Sequence, residues 1–376
     1  MPTKPTFSLS LFFAVRLLLT LWAAVTVWLL PPADLPGMVP PQQAGLGEGA
    51  PRWLLEPWQR FDANIYLRIA REGYAHEEDS VFPPLYPLLV RGLGWLLGGN
   101  LAAAALLLAN GATLLLLPPL QKLSATEVGE RAATRALVYW VLFPTGFFLF
   151  AGYTESLFLL WVVGSLWQGQ NGRFFPASLL AFLAALTRLN GWLLFFPLAL
   201  LAWQQGRRDW QTAVFLPLPL LAPALFIAYR AWLGLPSLAA VYAAHWFQRV
   251  GVPGQDVVTA VRLLIFGDQI TSSRFVLAFN LAVAIGLLAG TWLVWRRFGA
   301  VYGVYMATML LFILLPTSTV KPLYSFSRYA LAFFPLFWLL GEWGEKRPFV
   351  HRLILYTSFL LFLYFSGQFF LGGWVA

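Results

Sequence analysis

An acid and an aromatic residue with helical spacing stand in a polar stretch near the start of the chain. Asp62 and Tyr66 are four residues apart, so on an α-helix both would lie on one side. A carboxylate held at a fixed position can take a proton from a hydroxyl group, which is general-base chemistry. The alternative for Asp62 is a solvated acid that pairs with Arg60 or Arg68.

A second acid stands between two apolar runs, in the sequence Tyr153-Thr154-Glu155-Ser156. A charged side chain that faces lipid costs about 2.5–3.5 kcal/mol, so an acid within a membrane segment is a candidate functional residue. The alternative is that Glu155 lies in the first turn of the next helix and stabilises that helix through its dipole.

Cations also occur at the borders of apolar runs. Arg188 interrupts the apolar stretch from Ala181 to Leu201, and Arg328 directly precedes another run. A guanidinium group at that depth should meet a carboxylate, a phosphate or the carbonyl groups at a helix end. The alternative for both arginines is a side chain that extends to the lipid headgroups. Lys321, in the connection before Arg328, is a further possible phosphate contact.

The composition indicates the elements that must position these residues. The chain has 376 residues, of which 59% are hydrophobic and 11% are charged, whereas a soluble protein carries about 25% charged residues. Apolar runs recur from Leu9 to Leu371, and several approach the length of about 20 residues that a membrane-spanning helix needs. We therefore predict an all-α integral membrane protein with many spans, because lipid offers no partners to unpaired backbone groups.

Basic pairs in short connections give this protein an orientation. Short basic connections are typical of cytoplasmic loops, and this chain has three of them: Arg207-Arg208, Arg296-Arg297 and Lys346-Arg347. Counting membrane crossings from these loops places the N-terminus inside and the C-terminus outside. The shorter run Pro83 to Gly98 is predicted to be re-entrant or partly embedded. We predict about eleven spans, at residues 9–30, 101–119, 134–152, 155–168, 174–187, 190–204, 211–233, 275–295, 299–316, 329–343 and 352–372.

With this orientation most of the unusual polar residues lie on the extracytoplasmic side. We predict one multispanning domain, residues 1–376, in which the outer loops 31–82 and 234–273 form part of an active-site cavity. In the first of these loops Trp58, Phe61, Ile65 and Ile69 recur at helical spacing, which predicts an amphipathic helix in the membrane interface. An acidic loop opposite basic turns would suit a substrate that carries a phosphate.

The sequence argues against several other kinds of chemistry. There is no cysteine, so disulfides and thiolate metal sites are excluded. The run His76-Glu77-Glu78-Asp79 is interpreted as a solvated group of charges, because the three histidines are scattered, and we predict no metal. The chain has no P-loop and no glycine-rich dinucleotide fingerprint. Its net charge of +9 is explained by membrane loops, so we predict membrane lipids and no nucleic acid as partners.

Four stretches of the chain form one recognisable series. They are Phe61 to Tyr74, Phe82-Pro83-Pro84-Leu85-Tyr86-Pro87, Phe143-Pro144 with Tyr153 to Phe158, and Thr187-Arg188-Leu189-Asn190-Gly191. In this order they resemble one family, the PIG-V mannosyltransferases, which add the second mannose of GPI anchors, and their prokaryotic relatives. The resemblance is strongest over residues 58–200. Where this chain has Phe61-Asp62, that family usually has Trp-Asp.

The resemblance implies a GT-C glycosyltransferase in a prokaryotic plasma membrane, with its active site on the extracytoplasmic side. Such an enzyme uses a polyprenyl monophosphate sugar, here expected to be mannose, inverts the anomeric carbon and requires no cofactor. The acceptor would be a hydroxyl group of a glycolipid, glycan or protein. The resemblance implies an acid of the first outer loop as base, which maps onto Asp62. We further predict Glu155 as a supporting acid near the acceptor, and the predicted substrate contacts are Tyr66, Tyr153, Arg188, Asn190, His245, Arg249, Lys321 and Arg328.

Two other functions fit the same residues. A transporter or flippase for lipid-linked sugars would also carry arginines and acids within a helical bundle, although such proteins often have two inverted halves. A non-catalytic subunit of a membrane complex would keep the spans but tolerate the loss of both Asp62 and Arg188.

Overall fold

The structure, a computed structural model, describes residues 6–29, 52–267 and 274–375. Most of them are helical. The α-helices in chain order are α1 (Thr6–Leu29), α2 (Arg52–Leu55), α3 (Asp62–Glu72), α4 (Leu85–Leu96), α5 (Leu101–Val141), α6 (Glu155–Gln170), α7 (Phe174–Thr187), α8 (Phe195–Gln204), α9 (Trp210–Phe215), α10 (Leu218–Trp232), α11 (Leu238–His245), α12 (Gln255–Phe266), α13 (Arg274–Phe298), α14 (Ala300–Leu314), α15 (Phe326–Tyr329), α16 (Phe334–Lys346) and α17 (Pro348–Phe370).

Short elements connect these helices. Two strands of two residues each, β1 (Arg249–Val250) and β2 (Pro316–Thr317), pair in antiparallel fashion, with Arg249 opposite Thr317. The 3₁₀ turns are Glu56–Trp58, Glu77–Val81, Gly146–Leu149, Leu189–Leu194 and Ala330–Ala332.

Several helices are suited to a membrane. Among the described residues, five helical stretches are long and apolar enough to cross it: Thr6–Leu29, Leu101–Val141, Trp210–Trp232 (α9 with α10), Arg274–Phe298 and Pro348–Phe370. Shorter apolar helices are Phe174–Thr187, Leu189–Gln204 and Ala300–Leu314. The predicted class of a helical integral membrane protein is therefore confirmed. The number of eleven spans and the orientation of the chain remain predictions.

The chain forms two compact units. The first consists of Met1–Gly73, Leu85–Val163 and Phe337–Val375. In it α1 packs against α5 and α17, and α3 packs against α4 and α5. The second unit is formed mainly by Tyr74–Pro84 and Gly164–Leu336, where α7 packs on α10 and α13 packs on α12 and α14. The expectation of a single membrane domain stays a prediction.

The third predicted span, 134–152, is wrong in its second half. Helix α5 ends at Val141, and the chain then turns into the 3₁₀ segment Gly146–Leu149. Pro144 explains this end, because proline disfavours helical geometry at the residue before it and lacks an N–H group. Gly146 then packs so closely that a Cβ atom there would overlap the carbonyl group of Val141.

The two predicted outer loops contain helices. Residues 31–51 and 268–273 of these loops lie outside the described residues. Within the second loop, α11 begins after Ser237, whose hydroxyl accepts the Ala240 N–H at 3.2 Å, and α12 follows Gly254, which has a φ of +85°. In the first loop the predicted amphipathic helix exists as α3. It begins at Asp62, and Trp58 belongs to the preceding 3₁₀ turn.

Candidate active site

Asp62 is the first residue of α3 and only 5% of its surface is exposed. The interpretation of Asp62 as a solvated acid is therefore wrong. The buried side of the helix includes Asp62, Tyr66 and Ile69, whereas Ile65 is only half-buried. This helix start stabilises a carboxylate, because the first N–H groups of a helix lack partners within it and carry partial positive charge.

Tyr66 connects α3 with two of the other family stretches. Its hydroxyl group lies 3.4 Å from the Thr154 Oγ1 atom. Its ring meets the rings of Tyr86 and Tyr153 edge-on, with centroid separations of 5.1 and 6.3 Å. Within the first unit, three family stretches that are far apart in sequence therefore converge on one side chain. The shared side of Asp62 and Tyr66 predicted from spacing is observed.

Glu155 is the first residue of α6 and is 4% exposed. It follows Thr154, whose carbonyl group accepts the Phe158 N–H at 2.9 Å in the first turn of this helix. The first-turn position predicted by the simpler interpretation is confirmed. The residue is also buried, so a first-turn role and a functional role are compatible.

Tyr153 and Arg60 fix the chain just before Asp62. The Tyr153 hydroxyl group donates a hydrogen bond of 3.0 Å to the Arg60 carbonyl oxygen. The guanidinium group of Arg60 is buried and donates to the Phe370 carbonyl oxygen, from Nη2 at 2.9 Å and from Nε at 3.3 Å. Burial lowers the pKa of Arg60, and the nearby charge of Glu56 opposes this shift.

In the second unit Arg188 stands at the end of α7. Its backbone N–H donates to the Ala184 carbonyl at 2.9 Å, and its side chain is half-buried. The guanidinium carbon lies 5.4 Å from the centroid of the Tyr329 ring. A helix C-terminus favours a cation, and the aromatic ring adds about 0.5–2 kcal/mol of attraction.

Arg328 contacts the same ring as Arg188. Its guanidinium carbon is 5.9 Å from the Tyr329 centroid, and 7% of its surface is exposed. The structure thus brings together two of the predicted phosphate contacts, which are far apart in sequence. The N–H groups of a guanidinium group are the groups that recognise phosphate.

Lys321 lies in the segment that leads to Arg328. Its ammonium nitrogen is 5.6 Å from the centroid of the Tyr324 ring, and burial lowers its pKa below the ordinary value. Two residues of this segment, Leu323 and Ser325, have φ angles of 55° and 62°. Such a conformation costs non-glycine residues about 1–3 kcal/mol each and is frequent at functional sites.

Asp256, which sequence reasoning missed, holds that segment. Its two carboxylate oxygens accept the backbone N–H groups of Ser318 at 2.9 Å and of Leu323 at 3.1 Å. Burial raises the pKa of Asp256, and these two hydrogen bonds oppose the rise. The only sequence signal was an acid in the first turn of a helix after glycine, which does not predict a contact with residues 318–323.

Asn190 and Gly191 have roles in packing. The Asn190 side chain is buried, and its Nδ2 atom lies 3.5 Å from the Met309 sulfur. A Cβ atom at Gly191 would overlap the backbone of Ala184 and Ala185. The Thr-Arg-x-Asn-Gly motif therefore lets the chain reverse tightly after α7, which fixes Arg188 at the turn.

His245 and Arg249, also predicted to bind substrate, are exposed in the second unit. The His245 Nε2 atom is 3.3 Å from Glu77 Oε1, and the backbone of Arg249 belongs to β1.

The interpretation of residues 76–79 as a solvated group is wrong for Asp79, which is completely buried. Across residues 6–29, 52–267 and 274–375, no three His, Asp or Glu side chains are grouped as a metal site would require.

The fold has a solved counterpart among membrane proteins. The structure of ArnT from Cupriavidus metallidurans in the apo state superposes with a TM-score of 0.50 at 16% identity, over 96% of this chain and 77% of that chain. This likeness supports the predicted helical-bundle fold.

The sequence comparison gives the family. Residues 13–206 match the family model described as Mannosyltransferase (PIG-V), and the chain belongs to this family. GPI alpha-1,6-mannosyltransferase 2 of Mus musculus is 33% identical over 48% of this chain and 39% of its own length. The same enzyme of Homo sapiens is 30% identical over 50% of this chain and 41% of its own length. The chain therefore spans about two fifths of the length of these two curated relatives.

Proposed function

We propose that this integral membrane protein transfers mannose from a polyprenyl-phosphate-linked donor to an acceptor hydroxyl group on the extracytoplasmic side of the membrane. One observation carries this proposal. The family region contains two buried acids, Asp62 and Glu155, each at the start of a helix, and the hydrogen bond between Tyr66 and Thr154 links those two helices.

Asp62 acts as the base in this proposal. The acceptor hydroxyl gives its proton to the carboxylate while its oxygen attacks the anomeric carbon of the sugar. The bond from that carbon to the phosphate oxygen breaks, the anomeric configuration inverts, and polyprenyl phosphate leaves with the bonding electrons. A positioned carboxylate contributes about 10²- to 10⁴-fold to such a step. Glu155 supports the acceptor near the base.

Arg188, Arg328 and Lys321 are proposed to stabilise the departing phosphate. Negative charge develops on the phosphate as the glycosidic bond breaks, and fixed cations are most effective where charge develops. The support comes from the shared stacking of Arg188 and Arg328 on Tyr329 and from the partial burial of Lys321. The proposal includes no cofactor and no metal.

The identity of the sugar follows the names of the relatives, and the acceptor is proposed only by class. A glycolipid, a glycan or a protein would each supply the required hydroxyl group. His245, Arg249, Tyr66, Tyr153 and Asn190 remain predicted substrate contacts. Membership in a mannosyltransferase family favours transfer over the transporter or flippase interpretation.

The proposal is tested with Asp62→Asn and a control on the same helix. Glu72 lies at the exposed end of α3, so Glu72→Gln removes an acid from α3 without touching the buried side. Each purified variant is given radiolabelled polyprenyl-phosphate-mannose and an extract of membrane glycolipids and glycans. We expect Asp62→Asn to lose about 10²- to 10⁴-fold in transfer rate, and Glu72→Gln to match wild type. Equal rates for all three proteins would remove Asp62 from the mechanism.

A further inference from the structure

The carboxyl end of α17 is fastened to the residues that precede Asp62. The last carbonyl groups of a helix lack partners within it, and that of Phe370 is satisfied by two nitrogens of the buried Arg60 side chain. The rings of Trp58 and Phe370 meet edge-on with centroids 4.9 Å apart. Residues 310 positions apart in sequence are thus joined by a charged hydrogen-bonded contact.

Phe61, between this contact and Asp62, has an unusual backbone. Its φ of 51° and ψ of −120° place a bulky residue in a region that normally favours glycine, at a cost of about 1–3 kcal/mol. The ring of Phe61 meets Trp374 edge-on at a centroid separation of 4.9 Å and lies 6.3 Å from that of Phe369. Surrounding contacts must therefore hold Phe61 in a conformation that the free chain would leave.

The strained residue also sets the start of α3. The Arg60 carbonyl accepts the Ala63 N–H at 3.1 Å, and the Phe61 carbonyl accepts the Asn64 N–H at 3.0 Å. The same Arg60 carbonyl receives the Tyr153 hydroxyl group. A change of φ at Phe61 would rotate the first turn of the helix, and the direction of the Asp62 side chain would rotate with it.

We propose that Phe369, Phe370 and Trp374, here named the carboxyl-terminal clamp, are positioning residues for the base Asp62. The clamp keeps Phe61 in its left-handed conformation and thereby fixes where the carboxylate points. This inference rests on the proposed function, in which Asp62 accepts the acceptor proton. A displacement of a catalytic group by about 1 Å can cost 10²-fold in rate. The clamp therefore acts on the chemical step, and donor binding is expected to stay unchanged.

Ordinary helix docking would give the same contacts without any effect on the chemistry, and Trp22 supplies the matched control. Trp22 is half-buried like Trp374, and its Nε1 atom donates to the Leu363 carbonyl of α17 at 2.9 Å. It therefore contacts the same helix about two turns before Phe370. Trp22→Ala therefore measures how loosening α17 alone changes kcat and hydrogen–deuterium exchange.

The experiment compares Trp374→Ala, Trp374→Phe and Trp22→Ala with wild type in lipid nanodiscs. Two quantities are measured: kcat and KM with polyprenyl-phosphate-mannose, and hydrogen–deuterium exchange of peptides that cover residues 58–66. We expect Trp374→Ala to lower kcat by about 10- to 100-fold with KM unchanged, and to speed exchange in those peptides. Trp374→Phe should restore most of both properties, and Trp22→Ala should leave both near wild type.

The outcomes separate this inference from the proposed function. If Trp374→Ala and Trp22→Ala have equal effects on kcat and on exchange, the clamp is only a docking contact and the inference is overturned. If wild type transfers no mannose, the proposed function fails, and if Asp62→Asn transfers mannose as fast as wild type, only the role of Asp62 as base fails. In both cases the exchange experiment still tests whether Trp374 holds residues 58–66. If Trp374→Ala does not fold, Trp374→Leu against Trp22→Leu supplies the same comparison, because leucine removes the ring and keeps more of the side-chain volume.

Discussion

The acids of the first unit and the cations of the second unit are held in different ways. Asp62 and Glu155 each begin a helix and are almost completely buried. Arg188 and Lys321 are half-buried and outside regular helices, whereas Arg328 is buried within α15. All three cations lie near tyrosine rings. The two acids are thus buried at helix starts, whereas the cations lie near aromatic rings.

The two kinds of support suit the two proposed tasks, proton transfer by an acid and phosphate recognition by a cation. A base must keep one direction, so hydrogen-bonded neighbours and a helix start are the appropriate support. A cation that stabilises a leaving phosphate acts through its charge, and a neighbouring aromatic ring supports a charged side chain. Variants of the first unit should therefore change kcat, and variants of the second unit should change donor affinity.

The largest effect on the second unit is expected from Gly191→Ala. The added Cβ atom would overlap the backbone of α7, and overpacking costs typically about 1–3 kcal/mol of stability. The turn that carries Arg188 should shift, so binding of polyprenyl phosphate should weaken as well. Gly286→Ala is the control, because α13 leaves open space around that position. Thermal unfolding and phosphate-lipid binding are measured for both, and similar results for the two variants would contradict the account.

The next effect is expected from Asp256→Asn. An amide oxygen can replace one carboxylate oxygen, but the amide nitrogen cannot accept the second backbone N–H, so one buried donor loses its partner. Such a loss costs about 1–3 kcal/mol, and the segment with Lys321 and Arg328 should become mobile. Affinity for polyprenyl phosphate, measured as for Gly191→Ala, should therefore fall.

Asp209→Asn is the control for this prediction. Asp209 also accepts a backbone N–H, from Thr212 at 2.8 Å, but it is exposed at the start of α9. Its replacement should leave phosphate-lipid affinity unchanged. If both variants bind alike, Asp256 does not support the phosphate contacts.

The smallest effect concerns the pH dependence of Lys321. Burial lowers the pKa of this lysine below its ordinary value, so as pH rises it loses its charge earlier than an exposed lysine. Affinity for polyprenyl phosphate should therefore be complete at low pH and fall as pH rises through that lowered pKa. Lys321→Arg should move the fall to higher pH, because arginine keeps its proton. A titration followed by tryptophan fluorescence measures this, and identical pH profiles for both proteins would exclude Lys321 from the phosphate contacts.

The sequence predicted what is encoded locally. Hydrophobic runs gave the helical membrane class, and spacing gave the shared side of Asp62 and Tyr66, because both depend on neighbouring residues. The end of α5 at Val141 was missed, although Pro144 signalled it. The contacts of Arg60 with Phe370 and of Asp256 with Ser318 join residues 310 and 62 positions apart, which no spacing rule reveals. The conformation of Phe61 was equally hidden, since a left-handed backbone is expected at glycine.

The most direct test of the central claim separates binding from chemistry. Binding of polyprenyl phosphate is measured for wild type, Asp62→Asn and Arg188→Ala under the same conditions. The account predicts that Asp62→Asn binds as wild type does, and that Arg188→Ala binds about 10- to 100-fold more weakly, as expected for a lost hydrogen bond to a charged group. Normal binding by Arg188→Ala, or weakened binding by Asp62→Asn, would contradict the assignment of proton transfer to the acid and phosphate recognition to the cations.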